Sequence, residues 1–190
     1  ELERYPRRAN ETLQAWDAAD ELILRQLEDF GETIGDVLVV NDSWGALSTA
    51  LAHRRPSTLS DSYLAHAAIR ENLARNHIDL TAVRLLKSFD PLPARIDIVV
   101  MKVPKSLALL EDQLHRIAPH LHDKTTVLAA AMTKHIHMST LDLFAKIVGP
   151  TRTSLARRKA RLIFCEPDPK LQRPPNPWPK TYTVIPGHEV

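Results

Sequence analysis

Val37-Leu38-Val39-Val40-Asn41-Asp42-Ser43-Trp44-Gly45-Ala46-Leu47 reads as a buried strand that runs directly into a helix. In α/β enzymes that junction is where a cofactor is cradled. A backbone that turns tightly and approaches a phosphate or ribose needs two or three glycines there, because a Cβ blocks the approach or forbids the dihedrals. This junction has only Gly45. The chain has 5 glycines, and between Gly35 and Gly149 Gly45 stands alone, so no other loop can take over the role. The pattern predicts a cofactor-binding fold that has lost its cofactor, with the Trp44 ring packed into the vacated space as a plug.

Outward from this junction, strands and helices alternate. Leu13, Trp16, Ala19, Ile23, Leu27 and Phe30 form one apolar face of a helix over residues 12–30, with Trp16 in the core. After the Val37–Val40 strand, a helix carries Leu47, Ala50 and Leu51 up to Pro56. Thr58–Ser60 is a second strand, and Asp61 or Ser62 caps a helix through Tyr63, Ala67, Ile69 and Leu73. Ala82–Leu86 and Ile96–Met101 are the third and fourth strands, with no helix between them. Leu107, Leu110, Leu114 and Ile117 mark a helix that Pro119 stops, and Thr125–Ala130 is the fifth strand. Ser139 and Asp142 resemble a capping box opening a helix to Gly149, and Leu155–Phe164 is a sixth strand. This order predicts an α/β fold, an open, mostly parallel twisted sheet with helices on both faces. Residues 1–165 form one domain. Residues 166–190 read as a linker, since Pro167, Pro169, Pro174, Pro175, Pro177 and Pro179 prevent laddering until a possible last strand at Thr181–Ile185.

Composition narrows the class. With 190 residues, 44% hydrophobic and 25% charged, the chain resembles a soluble globular domain. It has no apolar run near the roughly 20 residues that span a bilayer, and its amino terminus is unlike a signal peptide. A single cysteine, Cys165, fits a reducing compartment, and a cytoplasmic location with no membrane partner is expected. Cys165 is read as a small apolar residue at a strand end. His115, His120, His122, His135 and His137 are read as solvated or capping side chains, since neither cluster has the spacing of a metal site.

In open α/β sheets ligands lie beyond the carboxyl ends of the strands, which selects Asp42–Gly45, Asp61–Tyr63 and Lys102–Lys105. Asp61 follows the second strand, where nucleotide-type cofactors receive a bond to ribose hydroxyls, and it can equally be a helix cap. Asp42, Trp44, Gly45 and Asp61 are therefore read as a vestigial cofactor site.

Several strings carry a family likeness: residues 13–20, residues 37–51, Ser60-Asp61-Ser62-Tyr63 with Arg70-Glu71-Asn72-Leu73, Lys102-Val103-Pro104-Lys105, and Arg158-Lys159-Ala160-Arg161-Leu162. Over nearly its whole length the chain resembles the amino-terminal domain of ribosomal RNA large subunit methyltransferase G. The resemblance implies a class I methyltransferase-like (Rossmann-like) domain, a degenerate duplicate of a carboxyl-terminal domain that binds S-adenosylmethionine and methylates a guanine exocyclic amine in large-subunit rRNA. Active members end strand four with Asn-Pro-Pro and an aromatic residue, which hold and stack the guanine. Here Lys102, Val103, Pro104 and Lys105 stand in those places. A lysine ammonium offers no acceptor to the amine and no ring to the base. No catalytic residue, cofactor or metal is expected in this domain. The chain stops at Val190, about where the family's catalytic domain starts, and reads as an excised domain whose partner is that half.

Binding is the expected remainder. Six basic residues and no acidic one lie between Leu143 and Cys165. On a strand over Leu155–Phe164, alternation would put Arg157, Lys159 and Arg161 on one face and Arg158 on the other. Such a stripe, with Lys102, Lys105 and Lys134 at strand ends, suits rRNA phosphates. Two alternatives stay open: a bracing domain whose stripe meets the catalytic half, and a divergent nucleotide- or S-adenosylmethionine-binding enzyme built on Asp42, Asp61 and Trp44.

Overall fold

The structure is a computed structural model that describes residues 1–30 and 35–181, with residues 183–185 and 188–189 as backbone. Seven strands form one sheet in the order β3-β2-β1-β4-β5-β7-β6: β1 (Val37–Val40), β2 (Ser57–Leu59), β3 (Arg84–Leu86), β4 (Ile98–Lys102), β5 (Thr126–Met132), β6 (Thr151–Thr153) and β7 (Ala160–Cys165). The first five are parallel, while β7 runs antiparallel to both β5 and β6. The expected mostly parallel sheet is therefore present, with a mixed edge.

Side chains alternate faces along each strand, and each face is covered. Val37, Val39, Ile98, Val100, Leu128, Ala130 and Leu162 pack against α1 (Ala18–Asp29) and α2 (Ala46–Ala50). Leu38, Val40, Val99, Met101, Val127, Ala129 and Ile163 pack against α4 (Leu107–Ile117) and α5 (Met138–Ile147). The Ile69 and Leu73 side chains of α3 (Tyr63–Arg75) close a smaller core with Ala52 and Val83. No helix lies between β3 and β4, as expected, and the 11-residue connection runs from the sheet edge to its centre.

Three readings are corrected. First, α1 begins at Ala18 and not near Thr12. Asp17 caps it, accepting from the Ala19 and Asp20 amides, while Asp20 accepts from the Asp17 amide at 2.9 Å. Leu13 is left exposed, and Trp16 is half-buried with its Nε1 donating to Glu21 at 3.3 Å. Second, α5 starts at Met138, before the expected Ser139 cap; the Thr140 hydroxyl accepts from the His137 amide.

Third, the expected strand over Leu155–Phe164 is two things. Its first half is the turn of a hairpin that links β6 to β7, with Arg158 and Lys159 at φ 48° and 62° and Arg157 bridging to Ala160. Both turn residues are left-handed, the geometry that matches strand twist in a two-residue hairpin. Lys159 therefore sits in the tip itself and Arg157 beside it, and neither shares a strand face with Arg161. Part of the segment read as a linker lies on the domain. Arg173 Nε donates to the Ile147 carbonyl (2.7 Å), Asn176 Nδ2 to Asp112 (3.0 Å) and Trp178 Nε1 to Glu111 (2.8 Å), which straps residues 173–178 along α5 and α4. Beyond it β8 (Thr183–Ile185) pairs with β9 (His188–Glu189) and not with the main sheet; Tyr182 of the expected last strand lies outside the described residues. Among the described residues no helix is long and apolar enough to cross a membrane.

Candidate functional site

The strand order reverses between β1 and β4, and loops leaving the carboxyl ends of these two strands diverge there. A cleft of about 590 Å³ opens at that point, lined by the ends of β1, β2, β4 and β5 together with Asp17, Asp20, Tyr5 and His135. Its volume is adequate for a nucleoside-sized ligand. The expected plug is absent. Trp44 forms part of a wall, half-buried, with the Arg4 guanidinium stacked 4.3 Å from its ring centroid. An amino-terminal arm holds that stack in place: Arg75 pairs with Glu3 at 2.9 Å, and Asn72 Nδ2 donates to the Glu3 and Trp44 carbonyls.

Several polar groups at the cleft are satisfied by one another. Asp42 is buried, and its carboxylate accepts from the Gly45 amide (2.9 Å) and the Ser48 amide (2.7 Å), the donors a ligand would need. Gly45 itself is required for another reason. Its φ is 87°, and a Cβ there would meet the Ile69 Cα at 3.0 Å, so it lets α2 approach α3. Asn41 stands at φ 63° where a glycine would be usual. Its carboxamide exchanges two hydrogen bonds with buried Gln113, both 2.8 Å, and donates to the Lys102 carbonyl at 3.0 Å. The amide pair ties the end of β1 to α4, and the bond to Lys102 ties it to the end of β4.

Lys102 is bound inside the protein. Its ammonium lies 2.6 Å from Asp17 and 2.8 Å from Asp20, and its side chain is only 16% exposed. Burial pushes the Asp20 carboxyl up to about 6 against the opposing pull of Lys102. Burial also opposes the Asp17 charge, but the Lys102 hydrogen bond and charge, joined by the Ala19 and Asp20 amides, hold that carboxyl below its usual value. Lys102, expected at a phosphate, is in this structure the cation of an internal cluster.

The Asp20 displacement has a testable sign. A folded-state pKa near 6, above 3.8, means the folded protein binds the proton more tightly, so this contribution to stability is full below pH 4 and is lost as pH rises through 6. Urea unfolding from pH 4 to 7 should show Asp20→Asn gaining about 1–3 kcal/mol relative to the parent chain as pH rises through that window. A pH-independent difference would show that Asp20 does not carry the proton.

Asp61 is not the helix cap. Ser62 caps α3, accepting from the Ala65 amide at 3.2 Å, and Asp61 is an exposed carboxylate on the cleft lip. Lys105 is exposed on the opposite lip. Because β7 descends from the end at which β1–β5 finish, the Arg158-Lys159 tip lies at the same end of the sheet as the cleft. Arg157 and Lys159 are exposed with no partner among the described residues, whereas Arg158 pairs with Glu21 of α1 at 2.6 Å. Arg161 is half-buried opposite Ala131, with its Nε enclosed and unpartnered. Elsewhere, burial pushes the Cys165 thiol up to about 11, so it is inert. Among the described residues no group of three or more His, Cys, Asp or Glu side chains could hold a metal ion.

Sequence reasoning found the cleft loops but missed Asp17, Asp20, Asn41 and Gln113. The first pair was detectable, since acidic residues three apart ahead of an apolar run have capping-box spacing.

Comparisons with known proteins place these features in a lineage. The RLMG N-terminal domain family matches residues 1–169. A ribosomal RNA large subunit methyltransferase G from Streptomyces avermitilis is 56% identical over 187 residues, which cover 98% of this chain and 49% of that protein. The Aeromonas salmonicida protein of the same name is 48% identical over 183 residues, 94% of this chain and 48% of its own length. The chain spans about half the length of the curated relatives it matches. Among solved structures, a T. thermophilus 16S rRNA N2 methyltransferase in complex with AdoMet and guanosine is similar with TM-score 0.65 and 18% identity, over 84% of this chain and 44% of that one. A Pyrococcus furiosus methyltransferase gives 0.62 and 14%, over 88% and 89%. At such identities they speak to the fold, which is that of Rossmann-like methyltransferases.

Proposed function

The chain belongs to the RLMG N-terminal domain family, the amino-terminal part of an rRNA methyltransferase family, and from that premise we propose that it is a non-catalytic class I methyltransferase-like domain that grips large-subunit rRNA and orients it. The catalytic partner is the carboxyl-terminal half of the same protein, which supplies S-adenosylmethionine chemistry on a guanine exocyclic amine in the cytoplasm. A module that holds substrate in register makes its neighbour's encounter effectively intramolecular.

The observation that carries this reading is the saturation of the old site. S-adenosylmethionine does not fit the groups present: the Gly45 and Ser48 amides are spent on Asp42, Asn41 on Gln113, and Lys102 on Asp17 and Asp20. Meanwhile Arg157 and Lys159 at the hairpin tip have no partner among the described residues, and Lys105 is exposed on the cleft lip. These cations suit a polyanion, and their binding would release counterions from RNA.

Two exposed charges make a clean test. Arg157→Glu with Lys159→Glu should weaken binding of an rRNA helix by roughly 10- to 100-fold and lower the slope of log affinity against log salt by about 2. Arg161 is left intact because its enclosed Nε makes it partly structural. Absence of RNA binding by the parent chain at low salt would defeat the proposal. The Arg158–Glu21 pair favours a second reading, in which the tip braces carboxylates of the catalytic half. On that reading the same double variant loses assembly with that half and keeps RNA affinity. The open cleft and exposed Asp61 favour a third, a divergent cofactor site, which calorimetry with S-adenosylmethionine tests directly.

A further inference from the structure

The edge of the sheet farthest from the basic hairpin carries a second exposed surface. The largest apolar exposures there are aromatic: the Tyr63 residue at the start of α3 is 78% exposed, and Phe89, three residues past β3, is 93% exposed. Isolated exposed apolar residues are ordinary, but two aromatic rings almost wholly in water at one corner are not. That they share a corner follows from the fold. Helix α3 connects β2 to β3, so its first turn lies at the end where β3 finishes, and the buried His66 ring of that turn lies close to the backbone of Leu86, the last residue of β3.

Two cations lie on the same segments as the rings. Arg70 lies two helical turns after Tyr63, on the same side of α3, and Lys87 directly follows β3. Both are close enough to His66 that, after burial, their charges help hold its pKa below the usual histidine value. Both are exposed, and neither has a partner among the described residues. One acid of this corner, Asp90, turns its carboxylate onto the Lys87 amide at 2.8 Å, which fixes the loop that presents Phe89, and a second, Asp61, is exposed two residues before Tyr63.

We propose that Tyr63 and Phe89, flanked by Arg70 and Lys87, form a stacking platform for unpaired bases of single-stranded or looped RNA. The inference rests on the RNA-binding reading above and deepens it: the hairpin tip grips phosphates without regard to base pairing, while this corner selects unstacked nucleotides. Every base has a π-face, so the platform tolerates sequence, and the two cations hold the backbone beside the rings. A paired helix cannot use it, because its bases are already stacked on each other. Tip, cleft and platform all lie at the carboxyl ends of the parallel strands, so one RNA can cross the domain from edge to edge.

Binding of two fluorescein-labelled RNAs to the 190-residue chain tests this, one an unstructured pyrimidine-rich oligonucleotide and the other a fully paired hairpin stem. Tyr63→Ala with Phe89→Ala should weaken the single strand roughly 10- to 100-fold and leave the stem within about twofold. Both side chains are exposed, so far-UV circular dichroism and urea midpoint should not change. Arg157→Glu with Lys159→Glu should weaken both RNAs. If the aromatic variant leaves single-strand affinity unchanged while the charge variant still weakens binding, the platform is overturned and the parent reading stands. If the unmodified chain binds neither RNA, the parent reading itself falls. Equal loss on both RNAs would also overturn the platform, because it would show contact without base selection.

Discussion

Lys102→Met should destabilise the domain by about 3 kcal/mol at pH 7–8, the largest effect of any single substitution at the cleft. The side chain is nearly isosteric, so packing is kept and only the charge is removed. Two carboxylates are then left facing each other without a cation: Asp20, 6% exposed, and Asp17, whose greater exposure lets water soften its share of the loss. The effect should shrink towards pH 5, because Asp20 already titrates near 6 and takes up a proton once the lysine is gone. Urea midpoints for both chains at pH 5 and pH 8 measure this. If Lys102 were instead a solvated phosphate contact, the substitution would leave stability unchanged at both pH values and would reduce only RNA affinity.

Gly149→Ala should cost about 2–4 kcal/mol and detach the tail. At φ 154° the residue lies where side chains are strained, and a Cβ would fall 2.1 Å from the Glu166 carbonyl and 3.0 Å from the Asp168 amide. Both obstacles are backbone, so no rotamer change relieves them. The chain after Cys165 must swing away, and the bonds from the Glu166 amide to Pro150 (3.0 Å) and from the Asp168 amide to Val148 (2.9 Å) are lost with it. Limited proteolysis should then cut between residues 166 and 178, where the parent chain resists. A variant as resistant as the parent would show that Gly149 does not anchor the strap.

The central sheet was legible because its strands announce themselves. Val37–Val40 and Ile98–Met101 are continuous apolar runs, as expected of strands covered on both faces, and helices between them force parallel pairing. Strand β6 was not, since Thr-Arg-Thr at an edge has neither length nor apolar pattern. The hairpin after it was hidden for a related reason: its left-handed residues are Arg158 and Lys159, with no glycine or asparagine to signal a turn. Leu13 and Trp16 continued the α1 periodicity by coincidence, and only the capping geometry of Asp17 sets the true start. At the cleft, sequence placed Lys102 correctly at the end of β4 but could not supply its partner, since Asp17 lies 85 residues away. The same distance problem concealed the link between Asn41 and Gln113, 72 residues apart. The scarcity of glycines is the signal that singled out the loop between β1 and α2. It did not imply a filled cavity, because donors and acceptors can be consumed by neighbours while the volume stays open.

The β6–β7 tip also places stability and charge in opposition. Left-handed backbone disfavours ordinary L-residues by roughly 1–2 kcal/mol each, and an asparagine-glycine pair would relax it. Selection for robustness alone would therefore drift towards that pair and discharge the tip, whereas selection for contact would keep long basic arms on a backbone that resists them. Thermostabilising substitutions chosen at Arg158 and Lys159 are thus the ones most apt to blunt whatever the tip touches.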